Sequence, residues 1–268
     1  MRRSLRPALV LYALALLSGI AGRAEAQHCH APLTVDAREY AYRAYTGFIA
    51  ASYGKGDGNY QGFYAGFAYR QPWWGAELRV PTYRLQQQER AATFGLGDIV
   101  LSASGTALKL RDDTIQLGAE LPLMLPTGSA SRSLGMGHPM LMPALWLLLD
   151  LEPVVIRAQL GYGRVLGGGD MDHHHHEGVM RVPLVNPMNR SEIEHALIVS
   201  LGLARGTSVH LSWLGAAPVD DPQGVNRQVL AAGASARFDP IELGFELQRP
   251  VAGDPFFMRL VLELTATF

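Results

Sequence analysis

The stretch that decides the fold is PFFMRLVLELTATF, residues 255–268, where the sequence ends on Phe268. Taken every second residue, one set is Phe256, Met258, Leu260, Leu262, Leu264, Ala266 and Phe268; the other is Phe257, Arg259, Val261, Glu263, Thr265 and Thr267. Side chains of a β-strand point alternately to its two faces, so one face is apolar and the other carries charge and hydroxyls. Chain ends fray unless something ties them down. A strand of this kind either closes a membrane barrel or edges a soluble sandwich.

The same period of two recurs along the chain. TIQLGAELPLML sets Ile115, Leu117, Ala119, Leu121 and Leu123 against Gln116, Gly118 and Glu120. EIEHALIVSLGLA sets Ile193, Leu197, Val199, Leu201 and Leu203 against Glu192, Glu194, Ser200 and Gly202. IELGFELQ alternates Ile241, Leu243, Phe245 and Leu247 with Glu242, Gly244, Glu246 and Gln248. Alternation of this sort marks half-buried strands. About twelve such segments are predicted, near 39–54, 59–70, 75–86, 95–109, 114–125, 138–150, 154–166, 192–204, 207–216, 226–237, 240–249 and 255–268. Tight connections such as RDDT, LEP and FDP alternate with mostly longer ones such as PTGSASRSLGMGH and AAPVDDPQGV. Short turns on one side and long loops on the other, with an even strand count, are the habit of outer-membrane barrels.

The polar face separates barrel from sandwich. Gly, Ser, Glu and Arg dominate it, and Lys55 and Lys109 are the only lysines in the chain. Small residues with mixed-sign charge suit a crowded lumen better than a water-facing sheet. Aromatic residues cluster at strand ends (Tyr40, Tyr42, Trp73, Trp74, Phe238, Phe268), where interface girdles form. The predicted fold is therefore an all-β transmembrane antiparallel barrel of about twelve strands over 39–268. A cleaved signal peptide precedes it at 1–26, with Arg2, Arg3 and Arg6 ahead of an apolar run and AEA at the cleavage site. A periplasmic segment covers 27–38. The alternative is a secreted lipocalin-like binding barrel. A terminal aromatic on such a strand also resembles the signal read by the barrel assembly machinery, which, with outer-membrane lipid, is an expected partner.

Composition narrows function without naming it. Net charge is -1 and hydrophobic residues make up 48% of the chain, which gives no general electrostatic case for nucleic acid. One cysteine, Cys29, excludes an intramolecular disulfide. Outside the first 26 residues no apolar run is long enough for a membrane helix.

GLGDIVLSASGTAL (95–108) and IQLGAELPLMLPTGS (115–129) resemble the outer-membrane transporter family named for the meta-pathway of phenol degradation, whose members pair a Gly-Leu-Gly-Asp strand start with a Leu-Pro-Thr-Gly strand end. Here these are Gly95, Leu96, Gly97 and Asp98, then Leu125, Pro126, Thr127 and Gly128. The resemblance implies a membrane channel and no catalytic residues. As turn chemistry, Gly permits positive φ and Pro sets φ for a tight loop.

No catalytic constellation stands out, and His210 and Ser212 lie about 7 Å apart along one strand. Expected lumen residues are Glu120, Met140, Met142, Trp146, Arg157, Glu194, Glu246, Arg259 and Glu263, with Arg237 among the basic partners. MLMPALWLLL is apolar on both faces, which suggests a partly hydrophobic passage for a small, hydrophobic or aromatic solute. Twelve strands leave room for little more. A second function class rests on DMDHHHHEG: Asp172 with His173, His174, His175 and His176 suits Zn, Ni or Cu, as do His28, Cys29 and His30. That reading makes the chain a metal-linked surface protein, with a divalent metal as its ligand.

Overall fold

The structure is a computed structural model and describes residues 41–54, 58–87, 90–167, 185, 188–203, 206–222 and 224–268. The expected signal peptide, the 27–38 segment and both histidine clusters lie outside the described residues.

The described residues form fourteen strand segments: β1 (Tyr42–Tyr53), β2 (Gly58–Arg70), β3 (Trp74–Gln87), β4 (Thr93–Leu96), β5 (Ile99–Leu110), β6 (Ile115–Leu125), β7 (Met140–Leu141), β8 (Ala144–Leu151), β9 (Val154–Val165), β10 (Ser191–Gly202), β11 (Thr207–Pro218), β12 (Arg227–Phe238), β13 (Ile241–Ala252) and β14 (Phe256–Thr267). They occupy twelve positions. β4 and β5 both pair with β3 and form one strand broken at Gly97–Asp98. β7 and β8 both lie between β6 and β9 and form another, broken at Met142–Pro143. Neighbours are antiparallel throughout, β9 pairs with β10, and β14 pairs with β1 from Arg43↔Thr267 to Tyr53↔Phe256. The sheet has no free edge: it is a closed twelve-strand antiparallel barrel.

The apolar set of each strand faces outward. Phe63, Leu145 and Leu211 expose 62%, 64% and 67% of their surface, whereas Arg227, Glu192 and Arg259 are buried inside. A soluble lipocalin-like barrel would carry its apolar residues inside and polar ones outside, so this inversion argues for a wall against lipid. The chain is thus placed as a bacterial outer-membrane protein. The β2–β3, β5–β6, β8–β9, β10–β11 and β12–β13 connections, each of two to four residues, lie at the end that holds residues 41 and 268, and the long β6–β7 and β9–β10 connections lie at the other.

Two sequence expectations need correcting. Phe256 does not share the outward face of Met258: the β1–β14 register shifts between Ser52 and Tyr53, Phe256 is buried, and Phe257 and Met258 are exposed. A bulge places two residues opposite one and flips the alternation. A second shift, between Thr106 and Leu108, turns Leu108 and Leu110 outward. The predicted strands 95–109 and 138–150 are each interrupted.

Close packing between β1 and β2 comes from reciprocal pairs. Tyr64 lies opposite Gly47 and Tyr45 opposite Gly66, and a Cβ on either glycine would stand 2.1 Å from the facing ring. The two rings meet edge-on at 6.1 Å.

Candidate functional site

The lumen divides into a packed half and an accessible half. On the β1, β2 and β11–β14 side, Tyr45, Ile49, Tyr53, Tyr60, Tyr64, Leu214, Val229, Phe256 and Val261 form one buried cluster, joined by Leu134 and Val185 from the long loops. Several polar groups within it are paired. Tyr64 donates to Glu263 at 2.8 Å and Thr265 donates to it at 3.2 Å. His210 Nε2 meets Glu246 at 2.9 Å, and Gln248 also donates to Glu246. Arg259 donates to Gln248 at 2.5 Å and Tyr60 at 3.2 Å, with its guanidinium 4.5 Å above the Phe256 ring. Near the long-loop end Arg227 pairs with Glu192, which also accepts from the Asn189 backbone at 3.0 Å. Of the predicted lumen residues, Glu246, Arg259 and Glu263 therefore face inward but sit in packed wall. Arg237 lies at the short-turn end beside Asp239, 3.1 Å away.

The accessible half runs along β3, β5, β6, β8 and β9. Glu77, Glu120 and Arg157 keep 21%, 23% and 22% of their side-chain surface, against 0–6% for Arg43, Arg227, Glu192, His210 and Glu246. Arg157 reaches Glu120 at 3.4 Å and Gln159 at 3.4 Å. Glu77 is bracketed by Arg43 at 3.0 Å and Arg79 at 2.9 Å, and Tyr45 donates to it. Glu120, Ala144, Gly161 and Glu194 fall in one cross-strand row. The two small residues leave a gap between the two carboxylates. Trp146 lies under Arg157 at 5.8 Å, as its lumen-facing position predicts. Met140 and Met142 join Met124, Met136, Met188 and Val100 in a thioether-rich patch near the long-loop end.

The two quoted motifs meet in space. Asp98 accepts hydrogen bonds from the backbone N–H of Gly128 at 2.9 Å and of Met136 at 2.6 Å. Thr127 donates to the Gly97 carbonyl at 2.8 Å and accepts from Ile99 N–H at 3.0 Å. Gly128 and Gly135 pack so closely that a Cβ on Gly135 would lie 2.7 Å from Gly128 Cα, and a Cβ on Gly95 would lie 2.8 Å from Leu134. Pro126 opens the loop, which turns through Ala130–Arg132 and returns with Leu134 buried in the lumen cluster. These residues are a clasp that folds the 126–139 loop inward. On the same loop His138 is half-buried, and burial and then the Arg190 charge hold its imidazole below the ordinary histidine range.

Sequence reading missed Arg43, Glu77, Arg79, Arg227 and Asn189, and set Glu192 on a polar face without its partners. Extending the period of two through RAYTGFIA and GAELRV would have placed Arg43, Glu77 and Arg79 inside; the partner of Glu192 needs the barrel register. Among the described residues no group of three or more His, Cys, Asp or Glu is placed to hold a metal.

No family model and no curated protein matches the chain. Among solved structures, a KdgM porin in complex with disordered oligogalacturonate superposes with a TM-score of 0.54 at 9% identity, covering 85% of this chain and 99% of that one. A second KdgM porin structure gives a TM-score of 0.52 at 7% identity over the same shares. The chain has a porin-like fold. At that identity the likeness describes the barrel and not what it carries.

Proposed function

We propose that the protein is a narrow outer-membrane channel for small, largely uncharged aromatic or hydrophobic solutes rather than an enzyme. The observation that carries this reading is the uneven lumen: a packed half beside a strip where Glu77, Glu120 and Arg157 each keep about a fifth of their side-chain surface. Twelve strands enclose limited space, and filling half of it narrows the passage further. A solute would come past Met136 and Val100, the partly exposed edge of the buried methionine cluster, a soft polarizable surface suited to varied apolar shapes. It would then meet the Glu120–Arg157 pair, with the Trp146 ring packed behind Arg157. Arg157, Arg43 and Arg79 lie against carboxylates, which disfavours a polyanion such as oligogalacturonate, the molecule in the KdgM complex. The resemblance of 95–98 and 125–128 to the phenol meta-pathway family points the same way.

The test is flux into liposomes holding the purified full chain. Phenol-sized aromatic solutes should enter faster than oligogalacturonate of any length, and Trp146→Ala should change aromatic flux more than flux of a small sugar. Preferential uptake of oligogalacturonate, or flux no different from protein-free liposomes, overturns the proposal.

A further inference from the structure

The outward wall carries few charges, and their placement is not random. Among the described strand residues, Arg84, Arg164 and Arg249 are the charged side chains on the outward face, and each sits near the long-loop end of its strand. Arg84 lies over the Phe94 ring at 5.7 Å and Arg249 over the Phe257 ring at 5.1 Å. Arg164 is exposed on β9, two residues beyond the outward Tyr162 and therefore about 7 Å nearer the rim.

Directly below Arg164 the wall is hollowed. A depression of about 730 Å³ spans β5, β6, β8, β9 and β10, floored by Ala103, Ala119 and Pro143 and bordered by Leu145, Leu160 and Tyr162. Its cause is local: small side chains on β5 and β6 coincide with the proline break between β7 and β8, so the surface drops where bulky residues would otherwise stand. An apolar trough with a cation at its rim matches a molecule with an acyl chain and an anionic head. Guanidinium favours phosphate oxygens, which it can meet with two parallel N–H donors.

We propose that this trough and Arg164 form a binding site for a phosphorylated, acylated saccharolipid of the outer leaflet, one acyl chain lying over Ala103, Ala119 and Pro143 and the phosphate meeting Arg164. Arg84 and Arg249 give two further phosphate contacts around the rim. The end of the barrel decides the source: all three arginines lie on the long-loop side, which in outer-membrane barrels faces the cell exterior. This goes beyond the channel reading and does not depend on which solute passes.

The experiment is native mass spectrometry of the delipidated full chain, titrated with bisphosphorylated lipid A, dephosphorylated lipid A and phosphatidylglycerol. Lipid A should form a discrete adduct. Arg164→Gln should weaken it about fivefold, the effect of removing one basic contact from an anionic lipid. Arg164→Lys should retain most of it, and Leu160→Trp, which fills the trough, should abolish it. A heat-dependent gel shift of each variant keeps folding failure separate from binding failure. Equal binding of dephosphorylated lipid A or of phosphatidylglycerol overturns the assignment. So does a wild-type dimer that Leu160→Trp dissolves, since the trough would then hold a second copy of the chain, and so does the absence of any adduct.

Discussion

The clasp offers a direct test of how the lumen is narrowed. Asp98→Asn keeps the size and shape of the side chain but leaves one carbonyl oxygen where two carboxylate oxygens accepted from Gly128 and Met136. The amide nitrogen must then face a backbone N–H, donor against donor. Losing one hydrogen bond to a charged acceptor costs about 1.5–3 kcal/mol. Burial of Leu134, which holds the loop from its other side, contributes about as much, roughly 1.5–3 kcal/mol. The substitution thus removes an amount comparable to the remaining attachment, and at about 2 kcal/mol the population of the opened loop rises roughly thirtyfold. Arg132 is exposed at the loop tip, and cleavage after it tracks the opened population when opening is fast. In proteoliposomes Asp98→Asn should speed tryptic cleavage there by roughly that factor and raise single-channel conductance. Thr127→Ala removes a neutral hydroxyl at about 1 kcal/mol and should give about fivefold. Cleavage and conductance at wild-type values, in a variant that still folds, would refute the claim that Asp98 holds the loop.

Other consequences follow from burial and close approach. Arg227→Met leaves Glu192 buried with Asn189 as its remaining donor and should cost about 3–5 kcal/mol in urea unfolding from lipid vesicles, with Arg227→Met/Glu192→Met recovering most of it. Gly47→Ala places a methyl in the Tyr64 ring and should cost at least about 1–3 kcal/mol, which Gly47→Ala/Tyr64→Leu relieves. His138 has its folded pKa depressed, so the unfolded loop binds the proton first. Loop stability should be flat above the ordinary histidine value of about 6.5 and fall as pH drops below it, and the slope should vanish in His138→Gln. Hydrogen exchange of residues 126–139 against pH reads this directly.

What the sequence disclosed was what a period of two can carry. The alternation in 115–125 and 241–248 identified the strands and the inward carboxylates, because each face of a strand is written in alternate letters. That rule fails where the ladder gains a residue. Phe256 was assigned to the wrong face because nothing in PFFM marks Phe257 as the bulge; the shift is set by pairing with Ser52 and Tyr53, some two hundred positions away. Position in the lumen was also out of reach. Glu246 and Glu120 look alike in their strands, both glutamates between apolar neighbours, yet one is packed against His210 and Gln248 and the other keeps accessible surface beside Arg157. The difference lies in which residues stand across the barrel.

The same reasoning explains why the two glycine-bearing motifs read as turns and prove to be more. Taken alone, Gly95–Asp98 is a strand interruption and Pro126–Gly128 a loop entrance, and each has a sufficient local explanation. Brought together by the β5–β6 register of Ile99 with Leu125, they supply an acceptor pair, a bridging hydroxyl and side-chain-free backbone at one point. Only their combination sends Leu134 inward, where it caps the tyrosine-rich cluster, and brings Met136 to the methionine patch. The inward position of the 126–139 loop is thus held by a carboxylate at the strand break. Substitutions at Asp98 or Gly135 should alter passage through the barrel more than substitutions at the fully buried Glu192, although Glu192 contributes more to holding the barrel together.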